Sequence, residues 1–146
     1  MPGSLDANGG DVLRRALIAL GLGTTPSANG SWPIYYASEP DVPDNLITVY
    51  DTSGRDSGRV AQGERAEFDG VQIRVRSSNI EIGTTKARAI EEALDGIYNY
   101  SVSFNSHTYR IQTIQRTGKF IPIGKEENTN RRLFTLNALL TLRQLS

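Results

Sequence analysis

The stretch Leu133-Phe134-Thr135-Leu136-Asn137-Ala138-Leu139-Leu140-Thr141-Leu142 decides the fold class of this chain. Its even positions, Phe134, Leu136, Ala138, Leu140 and Leu142, are all apolar, and Thr135, Asn137 and Thr141 alternate with them. A period of two sends successive side chains to opposite faces of a strand, whereas a helix repeats about every 3.6 residues. Leu and Ala favour a helix by intrinsic propensity, but the alternation outweighs them, and 133–142 reads as a long strand.

Reading back toward the N-terminus, Tyr98 to Phe104 and Thr108 to Arg116 form a hairpin pattern that turns near Asn105-Ser106-His107. Phe120-Ile121-Pro122-Ile123 is a shorter strand, which Pro122 confines to an edge or a strand end. Val71, Ile73 and Val75 alternate with Gln72, Arg74 and Arg76, so one face of that strand meets the core and the other meets water or a partner. Between Gly21 and Arg65 turn formers dominate, with Ile34–Ala37 and Leu46–Tyr50 embedded as short β-branched and aromatic runs. Asp51 to Arg59 holds Ser-Gly-Arg twice and predicts an exposed, mobile loop around 51–67.

Two segments have helical spacing. Asp11 is a candidate cap for Val12, Leu13, Ala16, Leu17 and Leu20, a stripe ended by Gly21 and Gly23. Thr84 or Thr85 is a candidate cap for a second helix stopped by Gly96; Ala87, Ile90, Ala93, Leu94 and Ile97 line one face, and Arg88, Glu91, Glu92 and Asp95 another. The sum is an α+β fold: a mixed, largely antiparallel sheet with two helices packed on one face, in a single domain spanning 1–146.

Composition narrows the chemistry. The 146 residues hold 16 Lys+Arg against 16 Asp+Glu, no Cys and one His, which excludes disulfides, thiol nucleophiles and any site built on several histidines of one chain. Zero net charge argues against the long-range field of a dedicated DNA-binding module. The longest apolar candidate, Val12 to Leu22, contains Arg14 and Arg15, and the N-terminus lacks the basic start of a secretory signal. No membrane partner is expected, and the mature chain is expected to begin at Met1.

Catalytic motifs are near misses. Between Gly118 and Gly124-Lys125 lie five residues where a phosphate loop needs four, and Glu126 follows where Ser or Thr should stand. Gly21-Leu22-Gly23 follows a helix instead of opening one. His107 adjoins Ser106, but neighbouring side chains point apart and no nucleophile elbow surrounds them. Glu91 and Asp95 share a helical face in the manner of solvated pairs, and Glu126-Glu127 has no calcium-loop spacing. No catalytic, cofactor-binding or metal residue is assigned, and no cofactor is expected.

Arginine is the unusual feature, at 13 Arg to 3 Lys. Its planar fork suits recognition of carboxylates and phosphates. Asp51, Arg55 and Arg59 in the loop, Arg74 and Arg76 on the strand face, and Arg131 and Arg132 before the last strand are the candidate contact residues. The neutral total is also a cancellation: residues 1–106 carry five more acids than bases, and residues 107–146 five more bases than acids. Such a division suits head-to-tail contact between copies.

The order of these segments resembles the tail terminator proteins of long-tailed bacteriophages, also called tail completion or minor capsid proteins. The carriers are Glu39-Pro40, Pro43-Asp44-Asn45-Leu46-Ile47-Thr48-Val49-Tyr50-Asp51, Val71 to Arg76, Ala93-Leu94-Asp95-Gly96, Gly124, Asn130-Arg131 and Leu133 to Asn137. Lys125 to Thr129 departs from the compact turn expected there. The resemblance implies a non-enzymatic ring, hexameric in this family, that caps the finished tail tube, ends its polymerisation and docks the head connector. Implied partners are further copies of the chain, the tail tube protein, a head-completion or connector protein, and DNA only as it passes through the channel. The implied place is the tail or neck of the virion, with host cytoplasm during assembly. A head-closure or adaptor protein, and a small enzyme using Glu91, Asp95 or His107, are the alternatives.

Overall fold

A computed structural model describes residues 5–26, 30–59, 65–126 and 129–145, and for 55–59 the backbone alone. Helix α1 spans Gly9–Ala19 and buries Val12, Leu13, Ala16 and Leu17, the predicted stripe. It starts ahead of Asp11, with Asn8 at the cap position and no side-chain cap of its own. The sheet supplies the missing acceptor, since the Gly10 N–H donates to Asp51 Oδ1 at 2.8 Å. Asp11 lies in the first turn, where it pairs with Arg14 at 3.0 Å. Gly21, at φ +84°, provides the left-handed stop.

Helix α2, Ile80–Asp95, begins four residues before Thr84, because the Asn79 side chain accepts from Ile82 N–H at 2.8 Å and caps it there. It ends at Gly96 as predicted. Its face is not divided as expected, for Glu91 is buried: its carboxylate accepts from the Phe120 N–H and from Arg88, each at 2.6 Å. That acid ties the 117–120 segment to the helix.

Seven strands form one sheet: β1 Ile34–Tyr36, β2 Leu46–Arg59, β3 Arg65–Ser77, β4 Tyr98–Phe104, β5 His107–Arg116, β6 Ile121–Lys125 and β7 Arg132–Gln144. The order is β1-β2-β3-β7-β5-β4, with β6 pairing β7 alone. Among the paired strands of the described residues, β1 and β2 run parallel and the other pairs antiparallel. The alternating segment 133–142 is therefore the centre, as β7 pairs with β3, β5 and β6. The β4–β5 turn is Asn105-Ser106, both at positive φ, the geometry a two-residue hairpin requires.

Within the predicted loop at 51–67, residues 51–59 and 65–67 are strand. Residues 51–59 continue β2, 65–67 begin β3, and the two pair from Leu46↔Arg76 to Arg59↔Arg65 with register shifts at Asp51/Ser53 and Asp56/Gly58. The Gly/Ser-rich composition is accommodated because β3 is itself held by β7 over its whole length. Residues 60–64 lie outside the described residues.

One core joins both helices to a single face of the sheet. Val71, Ile73 and Val75 of β3 stand opposite Ala138, Leu136 and Phe134 of β7, and the α1 and α2 apolar stripes pack on them. Among the described residues no helix is long and apolar enough to cross a membrane.

Candidate interaction surfaces

The arginines proposed as contacts separate into different environments. Arg76 has the outward parity expected of it, yet is only 2% exposed. Its guanidinium donates to the main-chain oxygens of Asp41, Pro43 and Asp44, and Nη1 lies 3.7 Å from Glu126 Oε2. Arg131, also buried, binds the same segment: it donates to the Asp41 carbonyl, to Asp41 Oδ1 at 2.9 Å and to Glu126 Oε1, and lies 3.6 Å from Asp44 Oδ1. Two cations thus clamp the 41–44 segment and Glu126 over one end of the sheet, burying Leu46 and Thr48 beneath. A segment distant in sequence thus covers both arginines, which the sequence pattern places outward. Glu127 lies outside the described residues.

Asp51 is exposed and also makes contacts within the chain. Besides receiving Gly10 N–H, it accepts from the Tyr36 hydroxyl. Burial and the Asp51 carboxylate push the Tyr36 hydroxyl up to about 12. A carboxylate at a helix N-terminus also opposes the macrodipole there favourably. Arg74 is half-buried, 3.5 Å from Glu39. Arg132 is exposed at the start of β7. Arg55 and Arg59 are placed by backbone in β2, and their side chains lie outside the description.

The charge division seen in the sequence closes partly within the chain. Arg116 holds Asp95 through two contacts, at 2.8 and 2.9 Å, and keeps that carboxyl below its ordinary range. Asp6 receives Arg65 and Gln144, each at 2.7 Å, with His107 Nε2 at 3.5 Å. Those hydrogen bonds lower the Asp6 carboxyl to about 2. The residues weighed as catalytic, His107, Glu91 and Asp95, therefore each face a structural partner: the N-terminal segment, Phe120 and Arg116.

Sequence reasoning missed the sheet face turned away from the helices. Strand register brings Arg110 directly opposite Arg143 there. A row across the same face runs Tyr98, Thr113, Thr141 and Phe68, and Tyr98, Phe68 and the neighbouring Leu139 are exposed at 73%, 43% and 52%. Alternation within β7 marks Leu139 as outward, but the partners of each position depend on register between distant strands.

The chain belongs to the bacteriophage tail terminator family, whose family model matches residues 16–144, so it is a structural protein of the phage tail. No curated protein matches it. One solved protein chain aligns over 93% of this chain and 89% of its own length, at 16% identity and a TM-score of 0.49.

Proposed function

We propose that this protein caps the completed tail tube as a hexameric ring, ends tube polymerisation and offers the docking surface for the head connector. The reading is carried by the family match, which runs from within α1 to the end of β7 and so takes in the whole sheet. Head-to-tail contacts close into a ring or continue as a filament according to their rotation, and a terminator must engage the last tube ring without repeating its free surface. The open sheet face and the edge strands β1, β4 and β6 are available for such contacts. In this reading Arg55, Arg59, Arg74 and Arg132 serve interfaces, while Asp51, Arg76 and Arg131 keep the subunit in shape. The role needs no catalytic step. Its partners are further copies, the tail tube protein, the head connector and passing DNA, at the neck of the virion after assembly in host cytoplasm.

Inactivating the gene in its phage tests the proposal by electron microscopy. Overlong or unfinished tails are expected. Tails of normal length with leaking heads would assign the protein to head closure and contradict the proposal. Light scattering of the purified chain mixed with tail tube protein should show a ring mass, and monomer alone under both conditions would contradict it.

A further inference from the structure

Strand β6 and helix α2 each leave apolar side chains uncovered. All of β6 is exposed, so the strand projects beyond the core, with Ile121 and Ile123 62% and 52% open. Buried Phe120, whose N–H donates to Glu91, anchors the start of this finger. Its free edge is a poor template for a further strand, because Pro122 offers no N–H and the register shifts between Pro122 and Gly124. What β6 presents to a partner is therefore its isoleucine side chains. Since β3 pairs β7 along its length, β6 lies on the opposite edge of β7 from β3, β2 and β1. Toward β1, a groove of about 460 Å³ lies between α2 and Trp32, with Ile82, Lys86 and Ala89 in its lining. Trp32 holds φ +59°, a costly conformation for a bulky residue, and the Thr24 N–H fixes it by donating to its carbonyl at 3.1 Å. Its half-buried indole lies 5.2 Å from Lys86 Nζ, which itself donates to the Leu22 carbonyl at 2.8 Å. The groove is thus held open by contacts of the chain itself, and Ile82 lines it while 41% exposed.

We propose that Ile121 and Ile123 of one copy seat in the Trp32–Ile82 groove of the next, as a head-to-tail contact between copies of this chain. The inference rests on the ring reading above and names the two surfaces that join its subunits. Charge complementarity selects this occupant. Glu81, Thr85, Ala89 and Glu92 form one exposed stripe of α2, with an acid at each end and small side chains between. Lys119 and Lys125, both exposed, stand on either side of the isoleucines. Among the described residues neither these two acids nor these two lysines have an ion-pair partner. A helical rise of about 1.5 Å per residue sets Glu81 and Glu92 about 16 Å apart. Extended chain at about 3.3 Å per residue sets Lys119 and Lys125 at most about 20 Å apart, and the bulge at Ile123 shortens that span. The two patterns therefore match in order and in length. Because finger and groove differ and lie on opposite sides of β7, the contact is heterologous and repeats from copy to copy, as a ring requires.

Light scattering of blocked copies, alone and mixed, with and without tail tube protein, tests it. Ile121→Asp/Ile123→Asp blocks the finger and Ile82→Asp blocks the groove; all three positions are exposed, and urea unfolding checks that each variant folds. Each variant alone should be monomeric where the unaltered chain assembles. Their equimolar mixture should reach the mass of two chains and stop, since one intact finger meets one intact groove and both remaining ends are blocked. Lys119→Glu/Lys125→Glu, which keeps the isoleucines, should weaken assembly about tenfold, and adding Glu81→Lys/Glu92→Lys to the same chain should restore it. That pair of charge reversals keeps the test valid if an Asp variant misfolds. Rings from either blocked variant, a mixture of folded variants without dimer, or charge reversal without effect or without rescue would overturn this contact and leave the ring reading standing. An unaltered chain that stays monomeric in every condition would overturn both.

Discussion

The two ends of one sheet face use arginine in opposite ways. At one end Arg76 and Arg131 are buried under the 41–44 segment and spend their donors on its carbonyls and carboxylates. At the other, Arg110 stands directly opposite Arg143, both half-buried. Residue type and strand parity are the same in both places. What marks the first end is the chain segment from elsewhere that lies on top, which makes Arg76 and Arg131 part of the fold.

Substitutions probe this contrast in descending order of effect. Arg76→Ala leaves three carbonyls and part of Glu126 without their cation, and should cost about 3–5 kcal/mol in urea unfolding. Gly83→Ala tests the covered face, where a Cβ would stand 2.3 Å from Phe134 Cε1 and 3.0 Å from Ser77 Cβ. Overpacking there should cost about 1–3 kcal/mol, read as a lower Tm. Asp51→Ala removes the acceptor for Gly10 N–H and should cost about 1–2 kcal/mol, with α1 losing amide-exchange protection first. Arg110→Gln should stay within about 0.5 kcal/mol of the unaltered chain.

Acid sharpens the comparison at a second site. The Asp6 carboxyl titrates near 2 when folded against an ordinary 3.8, so its stabilisation is present above 3.8 and is lost as pH falls toward 2. Asp6→Asn should flatten the stability profile in that window and leave it unchanged near neutrality relative to pH 5. A profile as steep as the original would show that Arg65 and Gln144 do not hold this carboxylate in solution.

Much of the fold is legible in the sequence because it is local. The alternation in 133–142 and 71–76 marks β7 and β3, and the three-four spacing of Val12, Leu13, Ala16 and Leu17 marks α1. Helix starts are less legible where the first turn is served from outside it. The α1 amide finds its acceptor on Asp51, 41 residues away, and no local pattern announces that. The extension of β2 to Arg59 is hidden for the same reason, since a Gly/Ser-rich run becomes strand only beside a partner already held in place. Parity correctly directs Arg76 away from the core, while its burial depends on the 41–44 segment. The Arg110–Arg143 pair depends on β5–β7 register, including a shift between Ile111 and Thr113. Local pattern thus gives the faces, and long-range pairing decides what each face is for.

This division of the arginines, with Arg76 part of the fold and Arg110 outside that clamp, is tested most directly by urea unfolding of Arg76→Gln and Arg110→Gln side by side. The division predicts a large fall in midpoint at unchanged slope for Arg76→Gln, and a midpoint indistinguishable from the unaltered chain for Arg110→Gln. Equal midpoints for the two variants, or a larger fall for Arg110→Gln, would contradict it.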